Sequence, residues 1–377
     1  MSECTFGPAQ PGDREDIIDF INSIFSQAVR PHDFSRLYPS VYGPDTPDFT
    51  PWHYIARENG RIRGVVGMRP TEIHVLDSTL RVGYIGSVSV HPACRKHGYM
   101  AQLMNMAIDA AQKNGYDMLV LGGQRQRYGY YGFMPGGQTW NFTVTSGNVR
   151  HALRETDSTG YSFEPFREED TERIGFFQSL QERAPFHVKR PMFARSVQTS
   201  GKPMCSILRN GRLLGYAGGD LAEIGLDAPE RYPEAIKAYM EASGLRSLSL
   251  ECAPWETERI RFLLSMADHA ELYPCMMIRV LSWERVLSAL LPLKNRLNPL
   301  PDTDVMVRID GSPTLHLSVQ SGNTTVHAIP SGDGLTLSAQ SAMDIFFSPF
   351  APQILPASHP LASLCSLPFH LGYADSF

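Results

Sequence analysis

Apolar residues recur along this chain at two periods, and the places where one period gives way to the other outline its elements. Val88 and Val90 alternate with Ser89, predicting a strand over 86–90 that Pro92 stops. Beyond it Met100, Leu103, Met104, Ala107, Ile108 and Ala111 share one helical face, predicting a helix that ends near Gly115. The apolar run 118–121 predicts a second strand. Strand, turn, helix and strand form the unit that makes parallel neighbours. Nearer the C-terminus, 305–309, 314–319, 324–329 and 335–339 are rich in β-branched and aliphatic residues. Asp310-Gly311, Gly322-Asn323 and Gly332-Asp333-Gly334 separate them. They predict an antiparallel sheet, and Ala342, Ile345 and Phe346 predict a short helix packed on it. The Leu- and Pro-rich stretch 290–301 reads as a packed linker. The fold class predicted is α/β (α+β) with mixed sheets.

A repeat sets the larger organisation. Phe6-x-Pro8 with Asp13-x-Glu15-x-Ile17 recurs as Phe163-x-Pro165 with Asp170-x-Glu172-x-Ile174, an offset of 157 residues. Asn59-Gly60-Arg61-Ile62-x-Gly64 recurs as Asn210-Gly211-Arg212-Leu213-x-Gly215, an offset of 151. The acidic cluster suits the positive first turn of a helix, and Asn-Gly suits a two-residue hairpin loop. We expect units at 1–150 and 151–288, the second a copy of the first, and a third at 289–377.

The chain has 377 residues, too many for one domain of ordinary size. With 42% hydrophobic and 19% charged residues it has material for real cores and too little charge bias for disorder. A formal net charge of −5 without a single-sign run argues against a nucleic-acid partner. The six cysteines show no Cys-x-x-Cys spacing, and no His, Cys, Asp or Glu cluster has the spacing of a metal site, so reduced thiols and no metal are expected. No basic, apolar leader opens the chain and no run reaches the ~20 apolar residues of a membrane span. The expectation is a cytoplasmic protein without membrane association.

The predicted turn Arg95-Lys96-His97-Gly98 leads into a helix N-terminus, where unpaired N–H groups can bind an anion such as pyrophosphate. Gly98 lets phosphates approach the backbone, and Arg95 and Lys96 add positive charge beside the helix dipole. The run from Val88 through Pro92 to Gly98 resembles the acetyl-coenzyme A motif of the GNAT superfamily of N-acetyltransferases, an alternating strand, Pro, then Arg or Gln-x-x-Gly-x-Gly or Ala. Met100 stands where the motif has a small residue, which narrows the room beside the phosphates. Gln126-Arg127-Tyr128-Gly129-Tyr130-Tyr131-Gly132-Phe133 resembles a segment of the enhanced intracellular survival branch. That branch joins an active GNAT domain, a degenerate second one and a sterol carrier protein-like domain, the order read above.

The resemblance implies an acetyl-coenzyme A-dependent N-acetyltransferase acting on a primary amine of a small molecule or peptide: an aminoglycoside-like, polyamine or lysine-type acceptor. It assigns the coenzyme to Val88, Ser89 and Val90 on the strand and to Arg95, Lys96, His97, Gly98, Tyr99 and Met100 at the turn. Tyr128 is implied as the acid that protonates the departing thiolate, with Tyr130 and Tyr131 behind it. The C-terminal carboxylate, here of Phe377, is implied as the base, with His91 and His97 as rivals. An α-carboxylate of pKa ~3.3 to 3.7 is a weak base toward an ammonium, so it requires burial, neutral amine or a relaying water. The second copy lacks the Arg-x-x-Gly turn and is expected to bind no coenzyme. The branch includes homo-oligomers. The alternative function is a non-catalytic coenzyme- or lipid-binding scaffold.

Overall fold

Both Asn-Gly pairs form the turn their residue types favour. Asn59 and Gly60 have φ of 49° and 74°, and Asn210 and Gly211 have 51° and 78°, the left-handed pair of a two-residue hairpin loop. The computed structural model describes residues 4–27, 31–166, 168–330 and 332–377. In it the first turn joins β2 (His53–Glu58) to β3 (Arg61–Val75), and the second joins β10 (Met204–Arg209) to β11 (Arg212–Gly218). Each hairpin also slips register just before its turn, at Ala56/Arg57 and at Ile207/Leu208.

The first sheet runs β1 (Cys4–Pro8), β2, β3, β4 (Ser78–Val90), β5 (Met118–Leu121), β15 (Met276–Val280), β6 (Met134–Gly136), with β9 (Phe186–Val188) pairing the end of β3. β4 and β5 are parallel, and the helix Tyr99–Lys113 crosses between them as predicted. Its Leu103, Met104, Ala107, Ile108 and Ala111 are buried against one face of the sheet. Full burial of a side chain such as Leu103 or Met104 contributes about 1.5–3 kcal/mol.

The second unit holds two sheets, β12 (Glu223–Leu226), β11, β10, β8 (Tyr161–Pro165) and β13 (Ser247–Cys252), β7 (Thr139–Thr145), β14 (His269–Tyr273). The two units trade strands. β7 leaves the first sheet to lie between β13 and β14, while β15 returns to lie between β5 and β6.

In the third unit the order is β18 (Asn323–Ile329), β17 (Thr314–Gln320), β16 (Thr303–Ile309), β19 (Leu335–Leu337). The sheet is not wholly antiparallel. β19 crosses to the far edge and pairs with β16 in parallel, a direction that a strand's own residues do not encode. The stretch read as a linker is largely the helix Trp283–Leu297 with Pro292 inside it. A proline inside a helix costs about 3 kcal/mol, but Val286, Leu287, Leu290, Leu291 and Leu293 are buried on this helix, and at about 1.5–3 kcal/mol each the burial wins.

Beyond Leu355 the chain has little regular structure, yet Leu361, Leu364, Leu367, Phe369 and Phe377 join the core shared by the first and third units. Among the described residues no helix is long and apolar enough to cross a membrane.

Candidate active site

β4 is longer than the neighbour it pairs with. Its parallel register with β5 runs from Val82↔Met118 to Ile85↔Leu121, and β5 ends there, so among the described residues 86–90 have no strand on that side. Against β3, Gly67 faces Gly86 and Val65 faces Ser89, leaving Ser87 and Val88 opposite Val66. Ser87 takes φ 54°, so the extra residue is a bulge that bends the strand. The Ser89 hydroxyl donates to the Ser87 carbonyl at 3.0 Å.

A cavity of about 670 Å³ opens along this unpaired segment and reaches the first turn of the helix Tyr99–Lys113. Val88, Ser89, Val90, Arg95, Lys96, Gly98, Tyr99 and Met100 line it. His97 does not; it is exposed on the turn. Gly98 caps the helix at φ 80°, and a Cβ there would meet nothing within 4 Å, so its backbone is open. The first four N–H groups of a helix, here those of Gly98 to Ala101, lack intrahelical partners, and exposed Arg95 and Lys96 stand beside them. The donor set fits a diphosphate. The sequence reading missed Ile24, Phe25 and Arg127 as lining residues. Arg127 sits within the Tyr128 motif, whereas nothing in Ile24 or Phe25, ending a helix far away in sequence, announces the contact.

Tyr128 ends the short helix Arg125–Tyr128 and is buried. Gly123 makes room for it, since a Cβ there would collide with the Tyr128 ring. Burial raises its pKa above the ordinary phenol value, and Arg127 acts the other way. Of the three tyrosines Tyr131 lines the cavity, Tyr128 packs behind it without lining it, and Tyr130 is 91% exposed. His91 serves its own turn, with Nδ1 accepting from the Ala93 N–H at 3.2 Å.

The end of the chain is tied down at several points before it reaches β4. The Gln138 N–H donates to the Phe369 carbonyl at 2.8 Å, the Tyr373 hydroxyl donates to the Val197 carbonyl at 3.1 Å, and Asp375 pairs with Arg190 at 2.8 Å. Phe377 then enters the space that two glycines leave. A Cβ on Gly67 would lie 2.8 Å from its ring, and one on Gly86 would lie 2.7 Å from the ring and 2.8 Å from its carbonyl oxygen. The ring stacks on Tyr42 at 5.9 Å and meets His53 and Tyr84 edge-on. The Tyr84 hydroxyl donates to Met276 Sδ at 3.8 Å, and burial pushes its pKa upward, with Ser376 and the Phe377 main chain acting the other way. His53, absent from the sequence reading, is fully buried, and that burial lowers its pKa to about 4.

A second cavity, of about 800 Å³, lies in the second unit between β12 and the end of β13, which belong to different sheets there. Glu223, Glu251, Glu256, Trp255 and Asp375 are among its walls. The helix Tyr232–Ser243 starts beside it with Arg231 as its N-cap and Glu230 and Glu234 on either side.

The comparisons agree with this geometry. Residues 5–136 match the family model of the acetyltransferase (GNAT) domain. No curated protein matches the sequence. Among solved structures, a GCN5-related N-acetyltransferase from Anabaena variabilis superposes with a TM-score of 0.69 at 13% identity, covering 98% of each chain. Eis1 from Mycobacterium abscessus gives 0.64 at 12% identity over 100% of each chain. A GCN5-related N-acetyltransferase from Kribbella flavida gives 0.63 at 14%, covering 89% of this chain and 86% of its own. Residues 5–136 are thus a GNAT domain, within a fold shared by these larger proteins. The class of protein is an acyl-coenzyme A N-acyltransferase, with acyl-coenzyme A as co-substrate.

Proposed function

We propose that the protein transfers an acetyl group from acetyl-coenzyme A to a primary amine at the bulged end of β4, next to the seat of Phe377 against Gly86. The observation that carries this reading is the gap beside 86–90, continuous with the helix N-terminus at Gly98 and met by the chain's last residue at Gly86. In this reading Arg95, Lys96 and the amides from Gly98 onward hold the diphosphate, while the main chain of Val88, Ser89 and Val90 holds the pantetheine arm. His97, exposed on the same turn, would face the coenzyme's outer end or solvent. Unpaired amides at the bulge donate to the acyl oxygen. The Phe377 carboxylate takes the proton from the attacking amine, and Tyr128, its own proton retained by burial, returns one to the leaving thiolate.

An amine acceptor is supported by the excess of carboxylates over arginines in the walls of the second cavity, where Arg190 pairs with Glu223 and Asp375 and Arg259 with Glu256 while Glu251 and Glu230 add further negative charge. Aminoglycoside-like, polyamine and lysine-type acceptors all suit such walls. In the same reading the unit at 1–150 is catalytic and that at 151–288 a degenerate copy that lacks the Arg-x-x-Gly turn. We assign 289–377 to the sterol carrier protein-like class on its four-stranded sheet and covering helices.

Thiol release from acetyl-coenzyme A against a panel of amines tests the function, with calorimetry for coenzyme binding. Absence of both would reject it. Residues appended after Phe377 are expected to cut turnover and leave coenzyme affinity intact; normal turnover would remove the carboxylate from its role.

A further inference from the structure

A hydrogen-bond chain of fixed direction runs from the β4 bulge into the core. His53 Nδ1 lies 2.8 Å from the Phe49 carbonyl oxygen, which only accepts, so Nδ1 carries the proton. Burial holds the ring neutral at ordinary pH, and Nε2 is therefore an acceptor. The Tyr42 hydroxyl, 2.8 Å from Nε2, donates to it, and the Tyr42 oxygen accepts from Ser87 Oγ at 2.5 Å. The chain ends on a main-chain carbonyl, which has no proton to pass on. It tethers; it does not relay.

What it tethers is strained. Ser87 sits at φ 54°, a conformation that costs a side chain with a Cβ, and Tyr42, His53 and Ser87 are all buried. The same Tyr42 ring stacks on Phe377, and His53 meets the edge of that ring at 6.2 Å. One tyrosine thus touches both the bulge and the last residue of the chain.

We propose that Tyr42 and His53 are positioning residues: through Ser87 they hold the β4 bulge in its left-handed conformation, aiming its amides at the acyl oxygen, and they seat Phe377 beside it. The inference rests on the acyltransferase reading above and adds residues to it.

A double-mutant cycle tests it. Tyr42→Phe keeps the ring that stacks on Phe377 and deletes the hydroxyl. Losing the tether releases the strain, so kcat is expected to fall roughly 5- to 30-fold, with KM for acetyl-coenzyme A changed less than about 2-fold. Glycine reaches φ 54° without help. In a Ser87→Gly background, Tyr42→Phe is therefore expected to lower kcat by less than about 2-fold further. An equal kcat loss in both backgrounds, or a loss confined to KM or to thermal stability, overturns the proposal. A second readout is independent of turnover. The nitrogen chemical shifts of His53 in labelled full-length protein should report a neutral ring protonated at Nδ1 at pH 7, and a charged ring or the opposite tautomer overturns the tether. An unaltered enzyme that acetylates no amine removes the acyltransferase reading and this inference with it. An active enzyme without coupling removes this inference alone.

Discussion

Arg190→Met asks what holds the tail in place. Arg190 is 6% exposed, its Nε 2.8 Å from Asp375 and its Nη1 2.5 Å from Glu223, whose side chains are 9% and 17% exposed. Burial alone would lower its pKa, and the two carboxylates more than reverse that. Methionine keeps much of the volume and removes the charge, leaving two enclosed carboxylates without a counter-ion. Breaking a buried pair in this way costs about 3–5 kcal/mol. Undocking residues 373–377 forfeits the burial of the Phe377 ring, about 1.5–3 kcal/mol, and the Tyr373–Val197 hydrogen bond, about 0.5–1.5 kcal/mol, which together stay below the cost of keeping both carboxylates enclosed. Hydrogen exchange at 373–377 should rise, and kcat should fall at least about tenfold, the equivalent of about 1.4 kcal/mol. Acetyl-coenzyme A affinity should hold, because no tail residue lines that cavity. Exchange at 373–377 that stays slow while the whole protein loses the full cost in urea would refute the clamp. A mobile tail with unchanged kcat would refute the part given to Phe377.

Gly86→Ala places a methyl 2.7 Å from the Phe377 ring, an overpacking of about 1–3 kcal/mol, or roughly 5- to 150-fold if it falls on turnover. Steady-state kinetics should show it in kcat, and an unaffected kcat would mean the ring is not needed there. His53 has a native pKa of about 4 against ~6.5 when unfolded, so below pH ~6.5 the unfolded chain binds a proton that the native one refuses. That contribution is intact above ~6.5 and lost as pH falls toward ~4, about 3 kcal/mol over the window. Urea unfolding from pH 7 to 4.5 should show this slope in the parent and not in His53→Gln; equal slopes would count against a neutral buried ring. Replacing Arg95 and Lys96 together by alanine should weaken acetyl-coenzyme A binding roughly 3- to 30-fold at low salt. Calorimetry at high salt should find the difference shrinking, and a salt-independent loss would point to contacts other than charge.

The parts of the fold legible in the sequence were those set by local chemistry. Asn-Gly at 59–60 and 210–211 specifies a hairpin because few other residues tolerate two left-handed positions in a row. The apolar face from Leu103 to Ala111 specifies a helix because its period does. What stayed hidden was decided between distant segments. Nothing in Met276-Met277-Ile278-Arg279-Val280 says which sheet it enters, and Pro292 obscured a helix that burial enforces. The turn Arg95-Lys96-His97-Gly98 into a helix N-terminus was legible because a few adjacent residues build it. Tyr42, His53 and Ser87 were not, because they meet only after three elements are folded.

The trade of β7 for β15 makes the sheets on either side of residue 150 complete only through each other. A polypeptide cut after residue 150 would present β5 and β6 with an open slot between them, and the remainder would lack the strand that bridges β13 and β14. A substitution that loosens β7 or β15 is therefore felt in sheets on both sides of residue 150.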